Sequence, residues 1–221
     1  MKYAEYIDYT NLKPDATIED ITQLCEEAKI YHTQSVCVNP YYVSLAKELL
    51  EGTTTTVTTV IGFPLGANKT RVKEMEAIVA LEDGADEIDM VINISALKNK
   101  DYDYIKEEIN DIMAAVDGKT LKVIIETSLL TEEEIIKMTQ ICNDTFVNYI
   151  KTSTGFGKRG VSLDDIDIIN AHKNEILEIK ASGGIKSEEM IEELLNKGVT
   201  RLGISDTTFL KGENKWIYTK N

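Results

Sequence analysis

The chain is poor in the residues that would indicate a secreted, membrane-spanning or nucleic-acid-binding protein. Its 221 residues include three cysteines, three prolines, two histidines and one tryptophan, with 24 basic against 38 acidic side chains. Three cysteines without metal-ligand spacing indicate reduced thiols. The net charge of −14 argues against nucleic acid and anionic membranes as partners. No apolar run approaches the length of a membrane span and no signal peptide is recognisable at the start, so the cytoplasm is the expected location.

Short apolar runs alternate with amphipathic segments along the chain. This alternation predicts eight buried strands and seven helices, which favours a single α/β domain over residues 1–221, a (β/α)8 TIM barrel with 206–221 as a C-terminal helix or tail. An open doubly wound sheet is the alternative. The predicted strands are 6–10, 35–39, 57–61, 87–93, 122–127, 149–153, 177–182 and 201–205, and the predicted helices are 17–31, 40–51, 70–83, 102–116, 131–143, 163–173 and 187–197.

Local signals mark the ends of several predicted helices. A hydroxyl residue followed by an acidic residue three positions later predicts a capping box, and a glycine after a helical run predicts its left-handed end. The capping boxes are Thr17 with Asp20, Thr131 with Glu134 and Ser162 with Asp165, and the terminal glycines are Gly52, Gly84, Gly118 and Gly198.

Two lysines lie inside apolar strand-like runs, Lys151 in YIKTSTGFG and Lys180 in LEIKASGGI. Burial favours the neutral amine, and a neutral lysine is a nucleophile toward carbonyl carbon. Lowering a lysine pKa from about 10.4 to about 7 takes about 4–5 kcal/mol, which burial and a second cation can supply. Burial is therefore expected to favour the neutral form of both lysines, and this is the arrangement used for Schiff-base chemistry on carbonyl substrates. The alternative is that Lys180 and Asp89 form a buried ion pair that only fixes packing.

Eight motifs in sequence order resemble those of the deoxyribose-phosphate aldolase family of class I aldolases. The resemblance covers residue 6 to about 205. It implies reversible cleavage of 2-deoxyribose 5-phosphate into acetaldehyde and glyceraldehyde 3-phosphate, with no metal and no cofactor. The motifs are YIDYTNLKPDAT, SVCVNPYYV, TVIGFPLGAN, DGADEIDMVIN, KVIIET, IKTSTGFG, IKASGGI and RLGIS.

By the same resemblance, Lys151 is the Schiff-base lysine. Lys180 is the second lysine, which lowers the pKa of Lys151 and relays protons, and Asp89 is the acidic partner of that relay. Asp8 and Thr10 are implied to lie on the substrate side. The glycine-rich segments and the end of the eighth strand can also offer backbone N–H groups to a phosphate. The candidate substrate-binding residues are Asp8, Thr10, Thr152, Gly155, Gly183, Gly184 and Ser205.

Two residues depart from the family pattern. Asp206 stands where small neutral residues are usual, so it either weakens binding of a phosphorylated substrate or caps a helix facing away from the ligand. Tyr9 replaces a common histidine. In the tail, Tyr218 and Trp216 are candidates for a lid over the site.

Three functional interpretations follow from the sequence. The first is deoxyribose-phosphate aldolase, the second is an aldolase of the same mechanism that prefers non-phosphorylated aldehydes, and the third is a non-catalytic barrel that binds sugar phosphates. A barrel with a pyridoxal-phosphate lysine is a further alternative. The expected partners are small-molecule aldehyde and sugar-phosphate substrates, and a homodimer is the candidate assembly.

Overall fold

The computed structural model describes residues 1–210, which form a closed barrel of eight parallel strands. Each strand pairs with the next in sequence, and the last pairs with the first. The predicted (β/α)8 barrel is confirmed, and the open sheet is wrong. The strands are β1 (Ile7–Asn11), β2 (Ser35–Val38), β3 (Thr56–Ile61), β4 (Glu87–Val91), β5 (Thr120–Ile124), β6 (Tyr149–Lys151), β7 (Glu178–Ser182) and β8 (Arg201–Ile204).

Helices connect the strands, and the seven predicted ones are present with shifts of a few residues at their ends. Within residues 1–210 the α-helices are α1 (Ile18–Tyr31), α2 (Val43–Leu49), α3 (Thr70–Glu82), α4 (Ile94–Lys98), α5 (Tyr102–Ala115), α6 (Glu132–Asp144), α7 (Leu163–His172) and α8 (Glu188–Asn196). After β8 the described chain forms a short 3-10 turn, Thr208–Leu210. The rest of the predicted tail, including Trp216 and Tyr218, lies outside the described residues. No helix in the described part is long and apolar enough to cross a membrane.

The predicted helix-end signals are present. In all three capping boxes the hydroxyl accepts the backbone N–H three residues on, and the acidic side chain accepts the N–H of the cap. The four glycines after helical runs have positive φ angles between 77° and 105°. These contacts satisfy backbone groups that would otherwise lack partners at the helix ends.

Strand alternation separates an apolar outer layer from a charged interior. In β4, Ile88 and Met90 belong to the apolar core cluster, while Glu87 and Asp89 make ion pairs with residues of other strands. Successive side chains of a strand point to opposite faces, so one face of a barrel strand packs on helices and the other lines the interior. The charged residues of the barrel strands therefore meet inside it.

Three predicted strands extended two or more residues beyond the observed ends: those for β4, β5 and β6, the last of which ends at Lys151 rather than at residue 153. β4 ends at Val91, and the short helix α4, which was not predicted, begins at Ile94. β5 ends at Ile124 because Glu126 has a left-handed backbone, with φ at 53°, and a 3-10 turn follows it. Non-glycine residues seldom adopt this conformation, so the sequence did not indicate it.

Candidate active site

Lys151 and Lys180 lie side by side on β6 and β7 as direct register partners. The Oδ2 atom of Asp89, on β4, accepts hydrogen bonds from both amines, at 2.8 Å from Lys151 Nζ and 2.6 Å from Lys180 Nζ. The structure thus brings together the three residues that the sequence proposed for the chemistry. All three side chains are buried, and Lys151 is 3% exposed.

A wider ionic network surrounds this trio. Lys122, on β5, donates to Asp89 Oδ1 at 2.9 Å and also pairs with Glu87. Asp8, on β1, pairs with Lys180 and accepts from Arg201 Nη1 at 2.7 Å. Arg201, on β8, also donates to Glu87 Oε2 at 3.0 Å. The network therefore joins β1 to β4, β5, β6, β7 and β8 inside the barrel, and it fixes both oxygens of Asp89.

The charges of this network balance only when one amine is neutral. It contains three carboxylates, of Asp8, Glu87 and Asp89, and four basic groups, of Lys122, Lys151, Lys180 and Arg201. An uncompensated charge in a protein interior is costly. The basic group without a second carboxylate is Lys151, which pairs with Asp89 alone. Electroneutrality therefore favours the free amine of Lys151.

The electrostatic environment supports that assignment. Burial lowers the pKa of the Lys151 amine below its ordinary value, and the charge of Lys180 adds to this while Asp89 opposes it. Burial alone would raise the pKa of Asp89, but Lys122, Lys151 and Lys180 hold it well below the usual range. Lys151 is therefore poised as a nucleophile beside an ionised carboxylate.

The charge state of Lys180 differs from the sequence-based expectation, which was that burial would favour the neutral amine. Burial does lower the pKa of Lys180, but Asp8 and Asp89 together raise it above its ordinary value. Lys180 is thus a fixed cation between two carboxylates. Its second partner, Asp8, comes within reach because β8 and β1 close the barrel.

A cavity of about 370 Å³ opens above the network at the carboxyl ends of the strands. Lys151 lines this cavity, whereas Lys122 and Lys180 do not and are fully buried. In TIM barrels the active site lies at this end. Of the predicted substrate-binding residues, those that line the cavity are Thr10, Gly155, Gly183, Gly184 and Ser205.

Asp8 and Thr152 have no surface on the cavity. Asp8 lies in the ionic network below it, and Thr152 Oγ1 accepts the backbone N–H of Ser182 at 3.2 Å. Asp206 does not line the cavity either. Its Oδ1 accepts from Thr208 N at 2.9 Å and from the Thr208 hydroxyl at 2.6 Å, as a cap of the 3-10 turn. Tyr9 does line the cavity, and its hydroxyl donates to Glu27 Oε2 at 2.6 Å.

Glycines let two loops of the cavity wall approach each other. Gly183 has φ at 81°, and a Cβ at Gly160 would lie 1.9 Å from the Gly183 carbonyl oxygen. Any larger residue at position 160 would therefore separate the loop after β6 from the loop after β7. The backbone N–H of Val161 donates to the Gly183 oxygen at 3.2 Å, which ties the two loops together.

Glu126 holds the loop after β6 in place through hydrogen bonds to Thr154. Its Oε2 accepts the Thr154 N–H at 3.0 Å and the Thr154 hydroxyl, and Oε1 accepts from Ser128 Oγ at 2.8 Å. Glu126 keeps its left-handed backbone because these contacts hold it. The loop from Thr154 to Phe156 lines the cavity, so Glu126 positions one of its walls.

Sequence reasoning missed Lys122, Glu87 and Arg201. Lys122 lies between Leu121 and Val123 in an apolar run, the same signal that drew attention to Lys151 and Lys180. Glu87 and Arg201 stand at strand starts, where charged residues are usual. Their partners lie on other strands, so the register of the barrel was needed to find them.

The other reactive residue types have structural surroundings. Cys37 is fully buried beside Leu12 and Val60, and burial raises the pKa of its thiol. His32 forms the left-handed end of α1, and His172 Nδ1 lies 2.9 Å from the carbonyl of Ile168. In the described part of the chain, no group of three or more His, Cys, Asp or Glu side chains is placed to hold a metal ion.

A closed barrel with a buried lysine of lowered pKa at its C-terminal cavity is the arrangement of a class I aldolase. The model of the DeoC/LacD family of aldolases matches residues 4–216. A deoxyribose-phosphate aldolase of Clostridium botulinum is 50% identical over 205 residues, covering 93% of this chain and 97% of that protein. The chain therefore belongs to the DeoC/LacD aldolase family and is an enzyme, a carbon–carbon lyase.

Solved structures agree with this assignment. QR15, an aldolase, has a TM-score of 0.87 at 40% identity, covering 92% of this chain and 91% of that one. The deoxyribose phosphate aldolase of Aeropyrum pernix, described as tetrameric, has a TM-score of 0.86 at 29% identity, covering 93% and 88%. The likeness extends over the whole barrel.

Proposed function

We propose that the protein cleaves 2-deoxyribose 5-phosphate reversibly into acetaldehyde and glyceraldehyde 3-phosphate through a Schiff base on Lys151. The observation that carries the proposal is that Lys151 is the one amine of the buried network that lines the cavity. It also has the lowered pKa that a nucleophilic amine requires. The Clostridium botulinum relative is named for this activity.

The reaction begins with attack of the neutral Lys151 amine on the C1 aldehyde of the open-chain sugar. Loss of water from the carbinolamine gives a protonated imine, which withdraws electrons from C2. Removal of the proton from the C3 hydroxyl then breaks the C2–C3 bond. This releases glyceraldehyde 3-phosphate and leaves the enamine of acetaldehyde on Lys151. Protonation of the enamine carbon and hydrolysis of the imine release acetaldehyde and restore the amine.

Asp89 and Lys180 are proposed to manage the charge and the protons of these steps. The imine is cationic, and Asp89 Oδ2, at 2.8 Å from Lys151 Nζ, compensates that charge. At neutral pH Lys180 holds its proton and Asp89 is ionised, because the pKa of the first is raised and that of the second is lowered. Through a water, the Lys180 ammonium can give a proton to a carbinolamine oxygen and the Asp89 carboxylate can take one from it.

The test is a cleavage assay with 2-deoxyribose 5-phosphate and 2-deoxyribose side by side, with acetaldehyde release as the readout. The proposal predicts turnover of the phosphorylated sugar that is lost in Lys151→Met. Turnover of 2-deoxyribose alone would favour the aldolase of non-phosphorylated substrates. Failure with both sugars, while phosphate esters still bind, would favour the non-catalytic barrel.

The position of Asp206 favours the phosphorylated substrate. Its carboxylate caps the turn after β8 and does not line the cavity. We therefore expect Asp206→Ser to leave KM for the 5-phosphate unchanged. A substantial fall in KM would mean that the carboxylate repels the phosphate, as the sequence alone had suggested.

A homodimer in the cytoplasm is the proposed state of the enzyme. Helix α3 exposes Val72, Met75 and Val79, which are spaced along one face and would be covered by a second copy of the chain. The buried free cysteines suit a reducing compartment. Light scattering coupled to size-exclusion chromatography would give the mass of the unaltered protein and of Val79→Glu. The mass of one chain for both proteins would contradict the dimer.

A further inference from the structure

The cavity has few charged side chains for an enzyme whose proposed substrate carries a phosphate. Among the described residues, the charged groups that line it are Lys13, Asp20 and Lys151. Lys151 reacts with the aldehyde at the opposite end of the sugar from the phosphate. Lys13 is therefore the remaining cation of the cavity wall.

Hydrogen bonds fix the backbone of Lys13 at the cavity, whereas its ammonium group makes no ion pair within residues 1–210. In the loop between β1 and α1, its N–H donates to Asn11 Oδ1 at 3.3 Å, and its carbonyl accepts from Asn39 Nδ2 at 3.3 Å. The side chain is exposed, and no carboxylate of residues 1–210 lies within 4.0 Å of its ammonium group. A lysine on a fixed loop with an unpaired ammonium can turn to an incoming anion.

Asp20 adds a negative charge to the cavity wall, which a cation must offset if a phosphate is to bind there. Its Oδ2 accepts from Thr17 N at 2.8 Å and Thr17 Oγ1 at 2.9 Å, and these bonds lower its pKa. Asp20 is thus an anion at neutral pH that stays in its capping box. A phosphate ester carries about −1.5 to −2 charges and would be repelled by it.

We propose that Lys13 determines specificity for the phosphorylated substrate by pairing its ammonium with the 5-phosphate. The inference rests on the proposed function and deepens it. Backbone N–H groups near Gly183, Gly184 and Ser205, which line the same cavity, contribute donors without charge. Lys13 supplies the charge that offsets Asp20 and the phosphate together. Lys13 is close enough to Asp20 to help lower the pKa of that carboxyl.

The experiment compares Lys13→Met with Lys158→Met on 2-deoxyribose 5-phosphate and on 2-deoxyribose. Lys158 is an exposed lysine of the loop after β6 that does not line the cavity, so it is the matched control. Loss of a charge-assisted contact predicts that Lys13→Met raises KM for the 5-phosphate about tenfold or more. Turnover of 2-deoxyribose stays within twofold, about the scatter of a neutral substitution. Lys13→Arg retains most of the affinity.

Three outcomes would overturn the role of Lys13. If Lys13→Met and Lys158→Met cleave the 5-phosphate equally well, Lys13 only balances Asp20. If Lys13→Met loses activity equally on both sugars, Lys13 shapes the loop and does not recognise phosphate. If the unaltered enzyme cleaves 2-deoxyribose but not its 5-phosphate, the proposed substrate is wrong, and the role of Lys13 falls with it.

Discussion

Lys151 and Lys180 are register partners and share one carboxylate, yet their pKa values move in opposite directions. The difference is the number of carboxylates that each amine contacts. Lys180 has Asp8 and Asp89, and Lys151 has Asp89 alone. One buried lysine therefore stays a cation while its neighbour loses its proton readily. In the proposed mechanism, this asymmetry supplies a neutral amine as nucleophile and a neighbouring cation from the same residue type.

The two lysines should differ in their effect on stability. Lys180→Met removes the cation that lies between Asp8 and Asp89, so the free energy of unfolding should fall by about 3–5 kcal/mol. Lys151→Met removes an amine whose lowered pKa makes its burial unfavourable, so the free energy of unfolding should be unchanged or higher. Urea denaturation at pH 7 measures both. A larger loss in Lys151→Met than in Lys180→Met would contradict the charge assignment.

The pH profile of catalysis should also depend on Lys180. Without its positive charge the pKa of Lys151 rises, because a repulsive neighbour is lost and Asp89 is less neutralised. A larger share of Lys151 is then protonated at pH 7. Imine formation in Lys180→Leu should therefore be slower by orders of magnitude at pH 7 and recover as the pH is raised. A loss of rate by the same factor at every pH would mean that Lys180 acts only by relaying protons or by holding the fold.

At the residue scale, local signals in the sequence selected Lys151, Lys180 and Asp89, which the structure brings together, but they did not indicate the charge states of the three side chains. Lysines in apolar runs and an aspartate in EIDMV are local signals. The charge of Lys180 depends on Asp8, which is 172 positions away and reaches it through barrel closure. Lys13 lies within the motif YIDYTNLKPDAT but was missed, because the sequence did not indicate that this loop residue lines the cavity.

At the scale of elements, the loop after β6 links the fold to the cavity. Glu126, just after β5, holds this loop by accepting the backbone N–H of Thr154. Asp165, at the start of α7, holds it through Arg159, whose Nη1 and Nη2 donate to the Asp165 carboxylate at 2.6 and 3.0 Å. The wall of the cavity is thus anchored both to the segment after β5 and to α7. The strands and most helices could be predicted, because periodicity and caps are local. The left-handed Glu126 and the five-residue α4 could not, because tertiary contacts decide them.

A substitution in this anchor should damage catalysis more than stability. Glu126→Gln weakens the contacts to Thr154 N and Oγ1, so the loop shifts and kcat/KM should fall about ten- to hundredfold. Thr131→Ala, which removes the capping box of α6 away from the cavity, should lower the free energy of unfolding by about 1 kcal/mol without changing kcat/KM. Steady-state kinetics and urea denaturation of both variants test this. Parallel losses of activity and stability in the two variants would show that Glu126 has no positioning role.

At the scale of the whole molecule, the buried network should set the acid limit of stability. The folded-state pKa values of Asp8 and Asp89 are lowered, so their contribution is fully present above the unfolded value of about 3.9 and is lost as the pH falls below it. Lys180 has a raised pKa, so its contribution is present below about 10.4 and is lost only in more alkaline solution. Stability should therefore be broad around neutral pH.

Thermal unfolding as a function of pH tests this expectation. Tm should fall steeply below about pH 4, and Asp89→Asn should reduce that slope because it removes one of the two carboxylates of lowered pKa in the buried network. Asp167→Asn, which removes an exposed pair with Lys197, should leave the slope unchanged. A slope that does not respond to Asp89→Asn would place the acid-sensitive groups elsewhere in the molecule.

The central claim is that Lys151 is the amine that forms the Schiff base, and chemical trapping tests it most directly. The enzyme is incubated with acetaldehyde, reduced with borohydride and digested, and its peptides are mapped by mass spectrometry. Reduction of the imine would leave an ethyl group on the amine, and the account predicts that group on Lys151, with no label in Lys151→Met. An ethyl group on Lys180 or Lys122, or no labelling of the unaltered enzyme, would contradict it.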